Sequence, residues 1–159
     1  MSPVTLYTDL GGFDAVLAIC VRWHELCLAD PEAAHPFERA LHPQHDERLA
    51  AYLAEATGGP ALYTGGYGTE SSMQRMHAGN GVHPDLDEAC LRLFDRTVAE
   101  SGVPGNAGAR LCAYFRAVTE AMRVYGGSED DVPGGLPIAM AEPDRSDVDG
   151  SGLSLPVVT

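Results

Sequence analysis

Apolar residues recur along this chain at intervals of three and four, the spacing that gathers them on one face of a helix. From Phe13 to Ala29, after Gly11-Gly12, the residues Phe13, Val16, Leu17, Cys20, Val21, His24 and Leu28 fall on one such stripe, and Pro31 stops the run. A connection marked by Pro31, Pro36 and Pro43 then carries Phe37. A second helix is predicted over 45–57, with His45, Leu49, Leu53 and Ala56 inward and Asp46, Glu47, Arg48 and Glu55 outward. Gly58-Gly59-Pro60 ends it, with glycine past the C-terminus and proline beyond. A loose Gly-rich stretch over 63–68 leads into a short segment ending at His77. Two more helices follow. One spans 84–101, with Leu86, Ala89, Cys90, Leu93, Phe94 and Thr97 inward, and Gly102-Val103-Pro104 breaks it. The other spans 107–125, with Leu111, Phe115, Val118, Met122 and Tyr125 on one stripe. No stretch alternates with the period of a strand, so the pattern predicts an all-α fold in one domain over 1–126.

The pattern changes after Gly126. Residues 127–159 are acidic and rich in Gly, Pro, Asp and Ser with scattered apolar positions, which predicts a flexible tail; the apolar patch over 136–140 is the part able to dock. Acidic residues outnumber basic ones 23 to 10 along the whole chain, for a formal charge of −13. That balance argues against nucleic acid and against anionic membrane surfaces, both of which require a basic face. Every cation is arginine, so chemistry that needs a lysine amine is excluded. The cysteines Cys20, Cys27, Cys90 and Cys112 form no CxxC pair and lie in helical patterns, which argues against zinc and iron–sulfur centres. The start of the chain lacks a basic, then apolar, leader, and the longest apolar run, 15–21, is far too short to cross a bilayer. The expectation is a cytoplasmic protein with reduced thiols.

The histidines carry the chemistry. A lone histidine on a helix face is usually a hydrogen-bonded core or boundary residue. His77 stands apart from that rule. It follows Met73 and Met76, and the small residues Ala78-Gly79-Asn80-Gly81-Val82 come next, allowing the backbone to turn closely past a flat object. His24 and His45 also lie on otherwise apolar stripes. A buried imidazole is costly unless its polar atoms have partners, so several in one small helical domain point to a polar, metal or haem centre. Residue chemistry alone does not choose haem over a di-iron centre, although the Glu-x-x-His pair such bundles use is absent.

At these residues the sequence resembles the truncated haemoglobins, short globins with a two-over-two helical sandwich. The landmarks run in the family's order over 6–125: Tyr7-Thr8-Asp9-Leu10-Gly11-Gly12, Ala29-Asp30-Pro31 before Phe37, Gly58-Gly59-Pro60, Tyr63-Thr64-Gly65, and His77-Ala78-Gly79-Asn80-Gly81-Val82. The resemblance implies a b-type haem whose iron His77 holds on the proximal side. It implies that Phe37 packs on the porphyrin face, that Leu49 and Leu53 roof the pocket, and that Tyr63 and Arg75 reach the propionates. Met76, Val82, Leu86 and Cys90 complete the lining. His45 matches the distal gate, and Trp23-His24 stands where the family usually has a Phe-Tyr pair.

That last departure shapes the functional expectation. A distal tyrosine hydroxyl holds dioxygen by donating a hydrogen bond, whereas an imidazole donates, accepts or binds iron according to its tautomer. The resemblance therefore implies a haem protein that binds O2, NO or CO and carries out redox chemistry on them or on peroxide, with His24 and His45 as the acid–base groups. Activity of the NO dioxygenase or peroxidase kind would need an external reductase, since no nucleotide-binding fingerprint occurs in the chain. Two other readings stay open: an electron-transfer or redox-sensing module with histidine on both sides of the iron, and a haem-free helical interaction module.

Overall fold

The computed structural model describes residues 4–38 and 42–142. Seven α-helices make up the described part: α1 (Leu6–Leu10), α2 (Phe13–Ala29), α3 (His35–Glu38), α4 (His45–Ala56), α5 (Glu70–Ala78), α6 (Pro84–Glu100) and α7 (Ala107–Met122). A 3-10 turn, Arg123–Tyr125, prolongs the last, and no strand occurs among the described residues. None of the helices is long and apolar enough to cross a membrane. The all-α prediction and the four long helices agree with the structure to within a residue or a turn. The two shortest helices, α1 and α3, escaped a periodicity argument because each is too short to show a stripe.

Helix ends follow local chemistry. Thr5 begins α1 and Thr69 begins α5 with reciprocal capping boxes, to Thr8 and Ser72 respectively, each satisfying backbone N–H groups that the first turn leaves unpaired. Pro84 opens α6 at a position where its missing N–H costs nothing. At the end of α4, Gly58 adopts φ +99° and the Gly59 N–H donates to the Ala54 carbonyl at 2.8 Å. A Cβ on Gly59 would stand 2.7 Å from the Tyr7 ring and 2.8 Å from the Ala54 oxygen. Gly59→Ala is therefore expected to destabilise the protein by about 1–3 kcal/mol, read as a lower midpoint of thermal unfolding. An unchanged midpoint would show that the α1–α4 junction relaxes freely.

The core sits where α2 packs on α4 and α6, and α6 on α7. Val16, Ile19, Cys20, Trp23 and Cys27 of α2 are buried, with Leu53, Phe94 and Leu111 among the side chains closing the centre. Trp23 meets the rings of Phe37, Phe94 and Phe115 edge-on at 5.4, 5.9 and 5.3 Å, and Phe94 stacks on Phe115 at 3.9 Å. The phase of the α2 stripe differs from expectation: Val21 and Leu28 are 37% and 48% exposed, while Ile19, Trp23 and Cys27 point inward. The run Ala15–Val21 is apolar around the whole helix, so periodicity left its orientation open and the facing helices chose it.

Residues 127–142 lie against the helices. The Ser71 hydroxyl donates to the Pro133 carbonyl at 2.8 Å and accepts from the Leu136 N–H at 3.0 Å, and the Ala141 N–H donates to the Ala56 carbonyl at 2.8 Å. Arg110 pairs with Asp9 at 2.9 Å and Glu142 at 2.6 Å. The remainder of the predicted tail, 143–159, lies outside the described residues.

Candidate functional site

Helices α2, α3, α4, α5 and α6 contribute residues of the candidate site. His77 is the penultimate residue of α5, and its position on the last turn gives the imidazole a fixed local partner. Its Nδ1–H donates to the Met73 carbonyl one turn back, at 2.8 Å. That bond orients the ring and leaves the Nε2 lone pair free to bind a metal. The residue is exposed in the chain alone, as is Met76 beside it at 55% and Val82 beyond it at 49%. Apolar and imidazole side chains left uncovered together on the rim of a core are what a site for a flat apolar ligand requires.

The other histidines come from α2 and α4. His24 and His45 approach with ring centroids 5.3 Å apart, and Phe37 of α3 lies 5.2 Å from His24 and 5.7 Å from His45. Both imidazoles turn Nδ1 toward one carboxylate oxygen. Asp46 Oδ1 lies 2.7 Å from His24 Nδ1 and 3.4 Å from His45 Nδ1. The shorter contact is a hydrogen bond in which Nδ1–H of His24 donates, leaving its Nε2 as an acceptor. Burial pushes the His45 imidazole below its ordinary value; the Asp46 hydrogen bond opposes this, and the charges of His24 and His77 reinforce it. The balance favours the neutral imidazole of His45.

The other residues predicted to line the pocket differ in burial and in partners. Leu49 is half-buried one turn after His45, and Leu53 is fully buried a turn further in. Leu86 and Cys90, on the first turns of α6, are half-buried. The Cys90 sulfur and burial push the Cys27 thiol up. The Cys90 carbonyl accepts from the Trp23 indole N–H at 2.9 Å, tying α6 to α2 beside Phe37. Tyr63 is buried, packed edge-on to Tyr52 at 5.4 Å and stacked with Tyr67 at 6.4 Å. Arg75 is exposed, and its guanidinium donates to the Val132 carbonyl at 3.3 Å.

Asp46 is the site residue that the sequence did not reveal. Its place beside polar Glu47 and Arg48 puts it on the solvent side of a helical wheel. Its partner His24 is 22 positions away in another helix, so no local pattern links them. Only the packing of α2 on α4 turns that carboxylate into part of the site.

A model of the bacterial-like globin family matches residues 5–124. No curated protein matches the sequence. Among solved structures, the chain resembles the haemoglobin of the thermophilic phototrophic bacterium Chloroflexus aurantiacus, at 28% identity and TM-score 0.67, over 76% of this chain and 98% of that one. It resembles the group II two-on-two haemoglobin of Agrobacterium tumefaciens at 26% identity and TM-score 0.67, over 77% and 96%. The group II truncated haemoglobin of Bacillus anthracis shares the fold at 20% identity and TM-score 0.68, over 77% and 92%. With a family match across nearly all its helices and the same fold in these structures, the chain belongs to the bacterial-like globins, as a truncated haemoglobin.

Proposed function

We propose that this globin binds a b-type haem through His77 and carries out redox chemistry on a small ligand (O2, NO, CO or peroxide) at the face where His24 and His45 stand. The observation that carries the reading is the orientation of His77. Donation of its Nδ1–H to Met73 presents the neutral Nε2 that haem iron takes as an axial ligand. Phe37, Leu49, Leu53, Met76, Val82, Leu86 and Cys90 would pack against the macrocycle, with Tyr63 and Arg75 offered to its propionates. The donor set fits a non-covalent haem, since the chain has no CxxC pair for attachment. When bound, haem supplies a redox-active iron with one position open to a ligand.

The protein's own contribution is the placing of protons. His24, held by Asp46, has Nε2 free to accept a proton from a ligand and return it to a leaving oxygen. His45 turns Nδ1 to the same carboxylate and is half-buried, so its Nε2 is likewise the atom left for a ligand. Turnover would draw electrons from an external reductase. The pairing of the His24 and His45 rings favours a second reading, with one of them binding the iron together with His77 and electron transfer or redox sensing as the role.

An absorption spectrum separates these. The purified chain, reconstituted with haem and reduced, is expected to show a five-coordinate ferrous spectrum that shifts on adding CO. Sharp low-spin ferrous bands without added ligand would select the second reading. The absence of a Soret band after reconstitution would overturn both.

A further inference from the structure

The convergence of two imidazoles on one carboxylate oxygen exceeds what either histidine needs. The His24–Asp46 hydrogen bond is complete at 2.7 Å, yet His45 turns the same nitrogen, Nδ1, to the same oxygen at 3.4 Å. Nitrogen and oxygen ligands around a divalent first-row metal stand about 2.0–2.2 Å from it, which puts neighbouring ligand atoms roughly 3 Å apart. The two observed separations straddle that spacing, and the ligand atoms of His24, His45 and Asp46 all lie within 4.8 Å of one another. The side chains keep 20%, 28% and 25% of their surface, so an ion can enter and water can fill its remaining positions. Two imidazoles and one carboxylate with open positions form the donor set that holds non-haem Fe2+ and that, as two histidines and a carboxylate, also holds catalytic Zn2+.

We propose that His24, His45 and Asp46 form a binding site for one divalent first-row metal ion, separate from the His77 site. The packing of α2 on α4 builds it, and Phe37 walls one side. A cation there adds positive charge to the distal wall and ties both histidines down, so neither is free to reach the iron opposite His77. The site does not rest on haem binding.

The test is a calorimetric titration of the full chain with Zn2+, after haem loading and with CO on the ferrous iron. One equivalent is expected to bind, and Asp46→Asn, which keeps the size of the side chain, is expected to weaken binding by about 10- to 100-fold. His45→Gln is expected to do the same, and His83→Ala, on an exposed histidine outside the site, to change nothing. Circular dichroism identifies any variant that fails to fold, and either Asp46→Asn or His45→Gln suffices alone. Absence of stoichiometric binding, or binding with equal affinity in Asp46→Asn and His45→Gln, would overturn the proposal. A missing Soret band would instead count against the haem reading, and the same titration then proceeds on the haem-free chain.

Discussion

His77→Ala is expected to fold normally and to lose its haem. The imidazole is exposed in the chain alone, and its hydrogen bond runs back to the Met73 carbonyl within its own helix, so removing it takes nothing from the core. Helix content and unfolding midpoint of the haem-free protein should therefore match those of the parent. Haem retention depends instead on the Nε2 lone pair, and its loss should lower affinity by well over the 10- to 100-fold that accompanies removal of a ligand's supporting partner. The readout is the ratio of the Soret to the protein absorbance after gel filtration. Added imidazole is expected to restore a five- or six-coordinate spectrum in His77→Gly, because the cavity left there admits the missing ring. A stoichiometric Soret band with unchanged coordination in His77→Ala would place the iron ligand elsewhere.

The second large effect is structural. Phe94 is completely buried, stacked on Phe115 at 3.9 Å and met by Trp23 at 5.9 Å. Phe94→Ala removes the ring at the point where α2, α6 and α7 meet, and close-packed neighbours on three helices cannot collapse into the space. The expected cost is about 3–5 kcal/mol, which for a domain of this size lowers the unfolding midpoint by roughly 10 °C. Trp23 is the only tryptophan in the chain, so its fluorescence reports the loosening directly. A drop of only a degree or two would mean that Phe115 and Trp23 close over the cavity.

The two variants separate site from scaffold. His77 stands on the rim and is expected to matter for the ligand alone; Phe94 stands behind the site and is expected to matter for the fold. Cys90 joins them. Its backbone carbonyl anchors Trp23 while its half-buried side chain sits on the face of α6 assigned to the pocket.

How much was legible in the chain varies with the range of the interaction. The long helices were legible because their apolar spacing, the Gly-Gly-Pro stop at 58–60 and the prolines are local, and local sterics and backbone hydrogen bonding act within a few residues. His77 stood out as a candidate because its neighbours are distinctive: two methionines before it and a run of small residues after it. The direction of its ring was not legible, since that depends on a hydrogen bond visible only once the helix is built. The orientation of α2 was not legible either, because a helix apolar on all sides presents several equivalent stripes. Arg75 shows the same limit: nothing near it in the sequence points to Val132, 57 residues later, whose carbonyl accepts from its guanidinium.

By itself, then, the sequence determined an all-helical domain, the points where its helices stop, and which histidine stands at the head of a close backbone turn. Each of these is set by neighbours within one or two turns of helix. The tertiary structure alone decided which groups His24 and His45 meet. Asp46 reads as a solvent-facing acid until α2 lies across α4, and only then do His24 and His45 converge on a single carboxylate oxygen. The cause is geometric: a contact between residues 22 positions apart is fixed by how two helices cross, and no spacing along one chain encodes that crossing.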